Sequence, residues 1–339
     1  MNDSNRFVWI LCASIAALVV AGTAFLCLGT VWISPSSVIS VVGDHLVRGG
    51  ADAPSQLDAI VWNIRMPRLV VAACAGMALG VAGTVLQGMF RNPIADPQLV
   101  GLSSFAAVGA LVGFWFGYAT VGPEVAVVAG AIAGLIGALG VRFIASRSGG
   151  DPGRFILVGI GVGLAVGAAV ATASIAIHDP RIPDTTFWFF GGLSTATWPI
   201  AFWVALASAV SIAGVWPFAR RFDIMSLGND PARHIGVNVA AVVTVAAAFV
   251  GLGVGASVGA IGVVGFVGLV AARLGSDWVG PHHRSTIPVS GIVGATFVVT
   301  ADLLGRLIGR GFEVPVGLVT TIFGGVFLVT LILRNKVVT

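Results

Sequence analysis

Charge is what this sequence has least of. Asp, Glu, Lys and Arg make up 9% of its 339 residues, against about 25% in a soluble domain. A water-soluble fold is therefore excluded. Lysine is almost missing, Lys336 being the single example, between Asn335 and Val337. A phosphate loop of the form G-x-x-x-x-G-K-[ST] needs a lysine at a fixed place, so ATP that drives this chain must be bound by a separate subunit. Cysteine is scarce as well: Cys12, Cys27 and Cys74 lie inside apolar runs, without disulfide or metal spacing, and read as small packing residues. The five histidines are scattered. His282 and His283 adjoin Arg284 and are expected to be solvated in a short loop rather than bound to metal. No Ser/His, Asp/Asp or His-rich constellation stands at catalytic depth, which disfavours an intramembrane enzyme. No cofactor is expected.

Hydrophobe and glycine fill the space. The chain is 57% hydrophobic with a mean hydropathy of +1.01. Apolar runs close to bilayer length fall at about 8–30, 67–90, 99–120, 122–145, 154–177, 198–217, 237–257, 258–275, 287–308 and 314–334. The reading is an all-α polytopic membrane protein with about ten transmembrane helices in a single domain, 1–339. The first run lacks a small-residue cleavage site and is read as a span, not a removed signal. The 47 glycines, clustered in stretches such as "GLGVGASVGAIGVVGFVG" (251–268), let helix backbones approach closely. Pro67, Pro199, Pro288 and Pro315 stand at or near the first turns of spans, where a missing donor costs nothing.

An even span count puts both termini on one side. On that side fall Arg6, Arg91, Arg142, Arg147, Arg154, Arg220, Arg221, Arg233, Arg273, Arg284, Arg334 and Lys336; the other holds Arg48, Arg65, Arg68, Arg181, Arg306 and Arg310. The positive-inside bias makes the first side cytoplasmic. These arginines sit in short loops, so the basic balance does not point to nucleic acid. Inside the spans, Asp302 and Arg306 lie one turn apart and are spaced to pair, and Gln87 is one of few strong hydrogen-bonding groups. An ion-coupled carrier would need buried carboxylates or carbonyl cages for its driving ion, and no convincing set is present. That class stays as the runner-up to an ATP-driven system.

Two polar interruptions stand out. "RNPIADP" (91–97) cannot continue a helix, because Pro93 and Pro97 remove donors and constrain their predecessors. Broken backbone in hydrocarbon has to be covered by protein or water, so the stretch is either a plain turn or part of the lining of a route through the membrane. "ARRFDIMSLGNDPARHIGVNV" (219–239) is the longest insert between spans on the cytoplasmic side. It combines an amphipathic "DIMSLG" with a polar helix opened by Asn229, Asp230 and Pro231. It is either a docking knob or an ordinary loop.

Four ordered blocks resemble one family. They are "IRMPRLVVAACAGMALGVAGTVLQGMFRNPIADPQLVGLSS" (64–104), "SLGNDPARHIGV", "GAIGVVGFVGL" (259–269), and "HRSTIP" with "ADLLGRLIGRGFEVPVGLVTTIFGGVF" (301–327). They are similar to the FecCD-type permeases of bacterial ATP-binding-cassette (ABC) importers, which carry ferric siderophores, haem or cobalamin. Departures are Ala272 and Arg273, where the family commonly has Pro-His, and "SGGDPGR" (148–154), where it is often rich in Ser and Thr. The resemblance implies the type II ABC importer permease fold in the bacterial cytoplasmic (inner) membrane. It implies a homodimer, or a dimer with a close paralogue, with the pathway between subunits, two ATPase subunits below and a substrate-binding protein above. It assigns Gln87, Asn92, Pro93 and Ile94 to the pathway and its gate, with Pro152 and Gly153 in the other gate loop. Ser226, Leu227, Gly228, Ala232, Arg233 and Gly236, in an insert at about 219–237, would couple to the ATPase, and Arg65, Arg68 and Arg306 would dock the binding protein. Among substrates the resemblance puts ferric siderophore first and haem next, with cobalamin as the alternative.

Overall fold

In hydrocarbon every backbone N–H and C=O has to be satisfied within its own segment or by covering protein. A chain this apolar therefore has little choice but helix. The computed structural model describes residues 3–48, 56–98, 100–117, 120–147, 152–176, 188, 190–309 and 313–334. Arg181, Arg310, Lys336 and residues 148–151 of the "SGGDPGR" loop lie outside the described residues, and for Arg48, Arg154, Pro152 and Gly153 only the backbone is described.

The elements are α1 (Asp3–Cys27), α2 (Pro35–Arg48), a single turn α3 (Gln56–Asp58) running through a π-helix (Ala59–Arg65) into α4 (Met66–Phe90), then α5 (Leu102–Gly117), α6 (Val125–Arg147), α7 (Pro152–Ala176) and α8 (Trp198–Val215). A 3-10 turn (Trp216–Phe218) leads to α9 (Ala219–Ser226), α10 (Asn229–His234), α11 (Val239–Ile261), α12 (Val267–Val279), α13 (His283–Gly309) and α14 (Val316–Arg334). No strand occurs among the described residues. Among the described residues, six helices are long and apolar enough to cross a membrane, and three shorter apolar ones accompany them. Together with α12 they occupy the ten expected runs.

α4 is the axis of the bundle and packs against α8, α11, α12 and α13. The apolar effect does not draw helices together in lipid, so close backbone approach has to. A Cβ on Gly76 would stand 2.4 Å from the Gly294 carbonyl oxygen, and one on Gly294 would stand 2.3 Å from that of Gly76. Thr84 donates to Ser290 across the same seam at 2.6 Å. The second seam joins α6 to α11, where a Cβ on Gly255 would meet the Gly130 carbonyl oxygen at 2.3 Å. Lipid-facing apolar groups line the outside; Trp9 is 69% exposed and Phe116 79%.

Three expectations are corrected. The seventh span does not end at 257. α11 continues to Ile261, and a non-helical stretch, 262–266, precedes α12. Gly262 (φ 73) and Phe266 (φ 65) adopt left-handed backbone there, and an apolar stretch carries no polar mark of such a break. Ser257 donates to the Ala75 carbonyl of α4, whereas Gly268 sits against Gly83. The stretch thus runs back along α4 inside the bundle, under cover of Trp188 and Gly191. Pro288 stands well inside α13 rather than near its first turn, because the helix begins at His283. Finally, His283 is buried at 6% exposure, not solvated, for the reason given next.

Candidate translocation pathway, gate loop and bundle ends

The loop after α4, expected to form a gate, is built rather than slack. α4 ends on Arg91, which takes a left-handed conformation (φ 51, ψ 38) usually left to glycine. Its N–H bonds back to the Gly88 carbonyl, and that of Asn92 to Gln87. The Asn92 side chain accepts from the Ile94 N–H at 3.0 Å, an Asx turn, and Gln87 reaches the Ala95 carbonyl at 3.5 Å. Pro93 and Ile94 are left outward, Ile94 at 44% exposure. Of the other expected gate pair, Pro152 and Gly153 open α7.

A residue that sequence reasoning passed over holds this loop down. Asp96, 5% exposed, accepts from the Gln98 N–H at 2.9 Å and from the Leu269 N–H at 3.1 Å. It binds the loop to the first turn of α12, where the helix dipole favours an anion. Burial pushes its carboxyl up to about 6, against the pull of those two donors. The signal was present in "IADP": an acid between Ala95 and Pro97 has few reasons to be there unless something holds it.

At this end lies the insert. Phe222, Met225 and Ala232 are buried beneath it, while Leu227 and Ile235 stand 70% and 64% exposed. Ser226, Arg233 and Gly236 are also exposed. Gly228 (φ 126) and Gly236 (φ 90) make its two sharp turns. Gly228, not Asn229 or Asp230, is the N-cap of α10, and Asp230 instead pairs with Arg233 at 3.2 Å in the open. Asp223 of α9 binds α13: one carboxylate oxygen accepts both the backbone N–H of His283 at 2.8 Å and its Nδ1–H at 2.6 Å. Arg6 lines a cleft with Asp277 and Trp278, near the end of α12, so it belongs to this end too.

The opposite end holds the three arginines. They do not stand on an open rim, because partners from distant parts of the chain cover them. Arg65, 4% exposed, donates to the Leu26 and Val31 carbonyls. Arg68, 7% exposed, grips both oxygens of Asp302 at 2.8 and 2.9 Å and reaches Glu313 at 2.8 Å. Arg306 pairs with Asp302 at 3.3 Å, as its spacing suggested, and lies 3.9 Å over the Phe25 ring. A cleft of about 280 Å³ opens beside all three, with Glu313 and Thr30 in its wall. Among the described residues, three guanidinium groups against two carboxylates leave one positive charge in excess.

Among the described residues no group of His, Cys, Asp and Glu could hold a metal. A helical bundle crossing a membrane, with a pinned loop and an exposed insert at one end and a charged cleft at the other, belongs to the class of polytopic transport proteins. The model of the FecCD transport family matches residues 16–334; the chain belongs to that family. It is 36% identical to the hemin transport system permease protein HmuU of Yersinia pestis, over 81% of this chain and 84% of that one. It is 35% identical to the cobalamin import system permease protein BtuC of Halobacterium salinarum, over 84% and 76%. It is 33% identical to the iron(3+)-hydroxamate import system permease protein FhuB of Bacillus subtilis, over 82% and 72%. An inward-facing metal-chelate type ABC transporter shares the fold, with a TM-score of 0.79 at 24% identity over 96% of this chain and 99% of that one.

Proposed function

We propose that this chain is the permease subunit of an ABC importer for an iron chelate, ferric siderophore or haem, with cobalamin as the alternative cargo. The observation that carries the reading is the family match over 16–334 in a chain whose one lysine cannot form a phosphate loop. Such a protein needs a separate ATPase, and the exposed Leu227 and Ile235 offer it an apolar contact. Relatives named for hemin and for iron(3+)-hydroxamate support an iron chelate. The insert end, with Arg6, Arg91, Arg220, Arg221, Arg233 and Arg284, is assigned to the cytoplasm by the positive-inside bias. Asn92, Pro93 and Ile94, with Gln87 behind them and the head of α7 at Pro152 and Gly153, would close the pathway between two copies, or between this chain and a close paralogue. The cleft beside Arg65, Arg68 and Arg306 would face the binding protein outside the bacterial inner membrane. Its one excess positive charge suits an acidic partner.

The test is to purify the chain with its ATPase and binding protein and to measure ATP-driven uptake into vesicles. Hemin, a ferric hydroxamate and cobalamin are offered in turn. Uptake of one iron chelate that needs ATP and the binding protein supports the reading. Uptake driven by a cation gradient without the ATPase would make it a secondary carrier.

A further inference from the structure

We infer that Asp223, His283 and Gly88 form the joint that carries movement of the α9–α10 insert to the gate loop; the inference rests on the ABC permease reading above. Asp223 takes two donors from one residue on one oxygen. This fixes both the start of α13 and the rotation of the imidazole. Because a carboxylate only accepts, Nδ1 carries the proton, and the ring has a single orientation. Phe222, fully buried, backs it at 5.6 Å between ring centres. The other edge of the ring meets α4: a Cβ on Gly88 would lie 2.0 Å from Nε2, so no side chain fits between them. The gate loop hangs from that same turn, through the Arg91 and Asn92 N–H groups on the Gly88 and Gln87 carbonyls. The Arg91 guanidinium lies on the Gly228 side of the same gap, its Nη1 3.8 Å from where a Cβ on that glycine would stand. The insert therefore touches the last turn of α4 through stiff, close-packed groups. The exposed Arg233–Asp230 pair is solvated and has no comparable grip.

A rival account makes Asp223 only the cap of α13, and spatial adjacency alone does not prove coupling. The test places a cysteine at Ile94 (I94C) in a chain whose native cysteines are replaced by alanine. The complex with the ATPase is reconstituted in lipid, and labelling by a water-soluble maleimide is timed with and without ATP and vanadate. With the joint intact, nucleotide should change the rate at least about fivefold, the size of a typical coupling. His283→Ala leaves the backbone cap in place and should reduce that change to less than about twofold, while the ATPase still co-purifies. His283→Asn, whose amide can donate where Nδ1 did but which lacks the ring edge that meets Gly88, should leave the response as small as in the alanine variant. Asp223→Ala with His283→Ala should be no worse than either change alone. An unchanged nucleotide response in His283→Ala overturns the joint, as does a full response in His283→Asn, which would show that the bridge to Gly88 is not needed. No response in the chain with the joint intact overturns the gate reading itself and the joint with it.

Discussion

At the scale of single residues, Arg68, Asp302 and Asp96 are each buried and held by partners. Removing one partner of a buried pair leaves the other uncompensated, at about 3–5 kcal/mol. Asp302→Ala should therefore lower stability by ~3–5 kcal/mol in detergent unfolding, and Asp302→Leu with both its partners replaced, Arg68→Met and Arg306→Met, should recover most of the loss. A loss under about 1 kcal/mol for the single change would show the grip to be incidental. Asp96 gives the opposite kind of dependence. Its carboxyl titrates at about 6 in the fold against 3.8 when free, so the folded state prefers the proton. The stability it lends is fully present below pH 3.8 and is lost as the pH rises through 6. Melting temperature should fall over that interval, and Asp96→Asn should flatten the fall. The partners were not legible in the sequence, even where "IADP" marked Asp96 as a residue in need of one, because Arg68 and Asp302 are 234 positions apart and Leu269 lies 173 from Asp96. The sequence shows arginines near the ends of apolar runs and gives no sign of the distant groups that cover Arg65 and Arg68.

Among elements, the seams decide. Gly255 leaves no room for a methyl against Gly130, whereas Gly140 on the same α6 has nothing within 4 Å of a Cβ position. Gly255→Ala should cost ~1–3 kcal/mol through overpacking. Gly140→Ala should be neutral or gain up to ~1 kcal/mol of helix propensity. Equal effects in thermal unfolding would deny the seam its role. The insert makes a different prediction: Leu227→Glu with Ile235→Glu should abolish co-purification of the ATPase while leaving the permease's own melting curve in place, since both side chains are exposed. The helices themselves were readable, because hydropathy and bilayer length constrain each run separately. The break at 262–266 was not, for Val263, Val264 and Phe266 look the same in a helix as in an extended stretch. What set them apart was the cover given by Trp188 and Gly191, which no local pattern foretells.

For the whole molecule, the arrangement of charge between the two ends has kinetic content. Glu313 lies at the cleft with its side chain 41% exposed. Glu313→Gln would raise the excess there by one. The binding protein should then associate a few-fold faster at low salt, with a steeper salt dependence, as steering by rim charge requires. Identical rates at all ionic strengths would mean that the partner does not sense this cleft. The Arg68–Asp302 grip also has a consequence for synthesis. α4 leaves the ribosome carrying a guanidinium whose carboxylate is encoded 234 residues later, a wait of roughly 10–50 s at bacterial elongation rates. Through that interval the nascent chain must keep Arg68 in the headgroups or against water. A chain stopped after α12 would never bring the carboxylate, and membrane quality-control proteases should clear it within minutes even though its helices have all been inserted.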